Sequence, residues 1–121
     1  MKKILIVEDH ADIRRLIRMT LEFDDYEILE AENGALGLAM VEEHAPALVL
    51  LDVMLPGALN GLDICRALKT RSNPPRVLLL SARGRSEDLE AGLQAGAEAY
   101  LVKPFSPLQL IENIHEQLGQ P

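Results

Sequence analysis

The chain alternates short apolar runs with longer segments in which apolar residues recur every three or four positions. Five runs read as strands: ILIV at 4–7, EILEA at 27–31, ALVLLD at 47–52, RVLLL at 76–80 and AYLV at 99–102. Four of them are almost continuously apolar, which suits strands covered on both faces, as in a parallel sheet. The second run alternates apolar and polar residues and is expected at an edge. Between the runs, Ile13, Leu16, Ile17 and Leu21 recur at helical spacing, and so do Leu36, Ala39 and Met40; each stripe is expected to face the sheet. Helix starts are expected at or just before Asp12 and at Asn33, Asn60, Ser86 and Ser106, the last followed by Pro107 at the first helical position. Gly119 is a natural stop for the last helix.

Strand and helix alternating five times imply an α/β fold, a doubly wound parallel sheet with right-handed crossovers and five helices. In such sheets ligands bind beyond the carboxyl ends of the strands. The 121 residues have the length of one domain, with residues 119–121 reading as the start of a linker. The longest apolar stretch, broken by Asp52, is too short to cross a bilayer, and acids follow the first apolar run where a signal peptide would continue, so a cytoplasmic protein is expected. The single cysteine, Cys65, rules out an internal disulfide or a cysteine metal cluster and reads as a small buried residue. A net charge of −7 argues against direct binding to nucleic acid. Arg14, Arg15 and Arg18 read as the solvated face of a helix, and His10, His44 and His115 as structural or exposed.

The strand ends carry the candidate chemistry. Strand one ends in Glu8 and Asp9, strand three in Asp52, strand four in Ser81, and strand five in Lys103 followed by Pro104. Three carboxylates in one cleft repel each other unless a cation shares it. Acids without histidine or thiolate partners favour magnesium over zinc. An ionised aspartate can attack phosphorus directly, and the transferring group then needs neutralisation and alignment rather than a general base. Asp52 suits the nucleophile; magnesium, Lys103 and the Ser81 hydroxyl suit the charge on the equatorial oxygens.

Over its whole length the chain resembles the receiver domains of two-component response regulators. The matching segments are ILIVED with Glu8 and Asp9, LLDVMLPG with Asp52 and Pro56, LLLSA with Ser81 and Ala82, and AYLVKPF with Tyr100, Lys103, Pro104 and Phe105. The resemblance implies a flavodoxin-like three-layer sandwich with strand order 2-1-3-4-5. It further implies that Asp52 accepts a phosphoryl group from a histidine kinase or phosphotransfer protein. Asp9, Asp52 and the Met54 carbonyl would hold Mg2+, with Glu8 acting through water. Lys103 would pair with the phosphoryl group, aimed by a cis bond before Pro104. Ser81 and Tyr100 would form the switch, Ala82 would leave the acceptor accessible, and Met54 and Arg83 would tune the lifetime of the phosphoryl group. The implied partners also include an output domain or effector, and a homodimer through the face of helix four, strand five and helix five. Such a domain is not an enzyme beyond its own phosphorylation and dephosphorylation.

One position departs from the family pattern: Gly61 lies nine residues after Asp52 rather than eight, leaving one extra residue in the loop. Three rival readings share parts of the pattern. A flavodoxin-like electron carrier would need a phosphate-cradling loop where this chain has the acidic EDHAD. An aspartate-dependent phosphohydrolase would need a second acid where Met54 stands. A receiver fold that has lost phosphorylation would act only as a binding module, against which the full acid set and Lys103 argue.

Overall fold

The computed structural model describes residues 1–119, so Gln120 and Pro121 of the expected linker lie outside the described residues. Strands β1 (Lys2–Val7), β2 (Tyr26–Ala31), β3 (Leu48–Asp52), β4 (Arg76–Ser81) and β5 (Ala99–Val102) alternate with helices α1 (Ala11–Leu21), α2 (Gly34–His44), α3 (Gly61–Lys69), α4 (Ser86–Gln94) and α5 (Pro107–Leu118). The strands form one parallel sheet in the order β2-β1-β3-β4-β5, as the resemblance implied.

Successive strand residues point to opposite faces, and both faces are covered, which explains the continuous apolar runs. Ile4, Ile6, Leu48, Leu50, Leu78 and Leu80 pack with Ile17 and Leu21 of α1 and Leu110 and Ile114 of α5. Leu5, Val7, Val49, Leu51, Val77 and Leu79 pack on the other side with Val41 of α2 and Ile64, Cys65 and Leu68 of α3. Burying a side chain of this size contributes roughly 1.5–3 kcal/mol. The two layers together fix the height of each strand.

Polar residues set the helix ends. Asn33 accepts from the Leu36 amide at 2.8 Å, and Asn60 and Ser106 exchange bonds with Asp63 and Gln109 in capping boxes. Gly119 closes α5 at φ 77°, a left-handed backbone that suits glycine. Helix α1 starts at Ala11, and Ser86 is the first residue of α4 rather than its cap; Arg85 stands at the cap, its amide donating to Asp88 at 3.2 Å.

Two stripes differ from expectation. Leu16 is 53% exposed, so the sheet-facing side of α1 is carried by Ile13, Ile17 and Leu21. In α2, Leu36 and Ala39 are exposed and the buried residues are Gly34, Gly37 and Val41. A Cβ on Gly37 would stand 3.0 Å from Val7, so α2 packs with its backbone against β1 and its larger side chains turn to the flanks. Hydrophobic spacing favours large residues and misses a helix face built on glycine.

Candidate functional site

Sheet register decides which side chains meet. Val7 pairs with Leu51, Asp52 with Leu80, and Ser81 with Val102. The residues one step further, Glu8 and Lys103, therefore share a rim with Asp52 and Ser81. Glu8, Asp52 and Ser81 are almost completely buried. A groove of about 740 Å3 lies at the opposite edge of the sheet and is lined by Lys2, Lys69, Arg71 and Arg76 among others. Its lysines bond backbone carbonyls, Lys2 that of Leu118 and Lys69 that of Pro75, which assigns them to structure.

On the acidic rim, the Lys103 ammonium stands 2.5 Å from Glu8 Oε1 and 3.2 Å from Asp52 Oδ2. The peptide bond from Lys103 to Pro104 is cis. Asp52 Oδ1 accepts from the Met54 amide at 3.0 Å, while the Met54 side chain is exposed. The loop carrying Met54 returns to α3 through Gly61, whose amide bonds the Val53 carbonyl at 2.9 Å. A Cβ on Gly61 would lie 2.2 Å from the Asp52 carbonyl oxygen, so only glycine permits this approach. The extra loop residue leaves Gly61 under Asp52 and places Pro56, Gly57, Ala58 and Leu59 outward, next to Asn33 and Ala35.

Ser81 Oγ accepts from the Arg83 amide at 3.1 Å, and the Arg83 carbonyl accepts from the Tyr100 hydroxyl at 2.8 Å. Arg83 thus joins Ser81 to Tyr100. The Tyr100 ring lies over Gly92 of α4, where a Cβ would stand 2.8 Å from Tyr100 Cδ2.

The two buried acids titrate in opposite senses. Burial pushes the Glu8 carboxyl up, but the His10 amide and the Lys103 ammonium more than offset this, and its pKa is lowered to about 2. For Asp52 burial wins: the Met54 amide and Lys103 favour the charge, the Glu8 carboxylate opposes it, and the pKa is raised to about 6. Lys103, despite burial, is pushed above its ordinary value by Glu8 and Asp52. At neutral pH all three remain charged.

The residues fit a divalent cation. Asp9 Oδ1 is buried and has no hydrogen-bond partner among the described residues. Glu8, Asp9, His10 and Asp52 can each offer one ligand atom within 4.8 Å of the others. With Lys103 neutralising only one carboxylate, the cleft carries an excess of negative charge that a hard ion would relieve.

The structure thus brings Glu8, Asp9, Asp52 and Lys103 together, with Met54 in the adjoining loop and Ser81, Tyr100 and Pro104 around them. Two neighbours were not read as part of the site. His10, read as structural or exposed, is exposed but stands 3.1 Å from Glu8 and 3.3 Å from Asp9 through Nδ1. Its place directly after the acid pair was the available signal. Arg14, read as part of a solvated face, has a largely buried side chain; it donates to the Glu8 carbonyl at 2.7 Å and pairs with Glu30. Arg18 also pairs with Glu30, and only Arg15 is left on the exposed face as expected. Charge alone did not distinguish these arginines, because Glu30 reaches them only through the β1–β2 pairing.

Known proteins match the chain in sequence and in fold. The family profile described as the response regulator receiver domain matches residues 4–115. The transcriptional regulatory protein ResD of Bacillus subtilis is 43% identical over 109 residues, covering 90% of this chain and 45% of ResD. The phosphate regulon transcriptional regulatory protein PhoB of Pseudomonas aeruginosa is 42% identical over 117 residues, covering 93% of this chain and 50% of PhoB. The chain spans about half the length of these curated relatives. Among solved structures, the chemotaxis protein CheY4 of Vibrio cholerae superposes with a TM-score of 0.90 at 29% identity, covering 98% of this chain and 99% of that one.

Proposed function

The chain belongs to the response regulator receiver domain family, and from that premise we propose that Asp52 is its phosphoryl acceptor. The reading rests on one observation above all: a buried carboxylate held between Lys103 and an acid pair that includes the unpartnered Asp9 Oδ1. Receiver domains are signalling domains rather than classical enzymes and bind Mg2+ through acidic residues. Here Asp9, Asp52 and the Met54 carbonyl would hold the ion, with Glu8 acting through water.

A carboxylate oxygen of Asp52 attacks the phosphorus of a kinase or phosphotransfer phosphohistidine. The new P–O bond forms as the P–N bond breaks, and the imidazole leaves with the electron pair. Asp52 needs no base, since a pKa of about 6 leaves it mostly ionised at neutral pH. Lys103 stands where its ammonium can follow charge from the carboxylate onto the phosphoryl oxygens. Bound Mg2+ supplies further neutralisation of those oxygens. No second acid sits at Met54, which favours this reading over a phosphohydrolase.

Once Asp52 carries the new group, its oxygens attract the Ser81 hydroxyl, which can donate its proton to them while its oxygen still accepts from the Arg83 amide. Tyr100, bonded to the same residue, is the next member of the switch. The receiving surface is the face of α4, β5 and α5, where Leu93, Val102 and Leu108 are exposed. An effector, an output domain or a second copy would bind there. We take residues 1–121 as a single receiver domain working in the cytoplasm without direct contact to nucleic acid; no helix among the described residues is long and apolar enough to cross a membrane.

The test is intact-mass measurement after incubation with acetyl phosphate and Mg2+. Wild type gains one phosphoryl group, and neither Asp52→Asn nor wild type in a chelator does. A gain of the same size in Asp52→Asn would refute the assignment.

A further inference from the structure

His10 is not needed for the chemistry just described, yet its ring adjoins the acid pair. Its Nδ1 lies 3.1 Å from Glu8 Oε2 and 3.3 Å from Asp9 Oδ1. Two adjacent ligands of one ion, each bound at about 2.1 Å in octahedral or tetrahedral geometry, are separated by roughly 3.0–3.4 Å. The Asp9 spacing falls in that interval, while the Glu8 contact is a hydrogen bond to the acid read above as reaching the ion through water. Glu8, Asp9, His10 and Asp52 also fit inside a 4.8 Å span, little more than the roughly 4.2 Å between opposite ligands of an octahedral ion. Asp9 Oδ1, buried and without a hydrogen bond among the described residues, is one of the two oxygens facing this nitrogen.

We propose that His10 is a further metal ligand of this cleft, and that it raises the affinity of the receiver site for a borderline transition ion of the zinc class while leaving its magnesium affinity unchanged. The inference rests on the reading of Glu8, Asp9 and Asp52 as the receiver cation site. Imidazole nitrogen binds zinc, nickel and cobalt strongly, whereas magnesium prefers oxygen and retains its waters. Adding one imidazole to an all-oxygen set therefore strengthens the transition ions and leaves magnesium almost untouched. The ring is 65% exposed and borders the acids from outside, so it can close on a bound ion without repacking the core.

NMR titration of the isotope-labelled full chain with zinc sulfate and, separately, magnesium chloride tests this. Zinc should shift an imidazole nitrogen resonance of His10 in the manner of direct ligation. His10→Ala should weaken zinc binding at the cleft by about 10–100-fold and change magnesium binding less than about two-fold, with backbone signals of Asp9 and Asp52 reporting both ions. Equal zinc affinity in the two proteins, or an unmoved His10 ring, overturns the role of His10 and leaves the magnesium site intact. If neither ion perturbs Asp9 and Asp52 in either protein, the cation site itself is wrong, and the inference falls with it.

Discussion

Two buried carboxylates a few ångströms apart should respond to neutralisation with opposite signs. Folding raises the Asp52 pKa from 3.8 to about 6, so the folded chain holds this proton more tightly than the unfolded chain. Asp52 then costs nothing below about pH 3.8; the cost grows as pH rises and is complete above about pH 6. At 1.36 kcal/mol per pH unit the full cost is about 3 kcal/mol. Asp52→Asn removes it and loses the 3.2 Å pair with Lys103, which still has Glu8 at 2.5 Å. A net gain of about 1–3 kcal/mol at pH 7 in a chelator is expected, or roughly 3–10 °C in Tm for a chain of this size. Glu8 behaves in reverse. Its pKa falls from 4.5 to about 2, so its contribution is present above about pH 4.5 and lost as pH drops toward 2. Glu8→Gln should destabilise by about 2–3 kcal/mol at pH 7.

Urea unfolding of wild type, Asp52→Asn and Glu8→Gln at pH 7 measures both signs in one experiment. Magnesium adds a second dimension, since an ion at 100 times its Kd stabilises by about 2.7 kcal/mol. It should stabilise wild type and largely fail to stabilise Asp52→Asn, so that the two proteins converge as the ion is added. Two results would refute the reasoning: Asp52→Asn less stable than wild type in the chelator, or both variants shifted in the same direction.

Other positions carry sharper steric expectations. Gly61→Ala would push a methyl into the Asp52 carbonyl and Val53 Cα, at 2.2 and 2.6 Å, and should destabilise by about 3 kcal/mol in urea unfolding while lowering acetyl phosphate labelling. Gly92→Ala should displace the Tyr100 ring and cost about 1–2 kcal/mol. In that background Tyr100→Phe should cost nothing further, whereas in wild type loss of the bond to Arg83 should cost about 0.5–1 kcal/mol, a coupling that a double-mutant cycle reads directly.

Much of the architecture is written in local patterns. The continuous apolar runs announced strands covered on both faces, and β4 and β5 ended where Ser81 and Lys103 were sought. Asn33, Asn60 and Ser106 capped helices as short polar side chains do. What escaped depends on contacts between distant segments. Gly37 turns α2 over because its backbone meets Val7, and nothing within the helix encodes that. Arg14 looks solvent-facing until Glu30 arrives from the neighbouring strand. Glu8 and Asp52 are both acids at strand ends, and the His10 amide on Glu8, together with a Lys103 ammonium nearer to Glu8 than to Asp52, separates their pKa values. The fold class and the acceptor candidate were thus legible, while the electrostatic asymmetry was not.

That asymmetry bears on how the site works. A lysine shared unequally leaves Glu8 well neutralised and Asp52 poorly so, and the poorly neutralised group is the proposed nucleophile. Were Lys103 paired only with Asp52, the carboxylate would be more comfortable at rest and a weaker nucleophile, because the ammonium would have to leave it before following the phosphoryl oxygens. Glu8 holds the ammonium close by without consuming the charge on Asp52. Its full burial has a function on this account: a solvated acid could not keep Lys103 in place against the pull of Asp52 and a bound cation. Replacing Glu8 by a neutral residue should therefore let Lys103 move onto Asp52, lowering the Asp52 pKa below about 6 and slowing acetyl phosphate labelling even at saturating Mg2+. An Asp52 carboxyl that titrates unchanged by NMR in Glu8→Gln would contradict this division of labour.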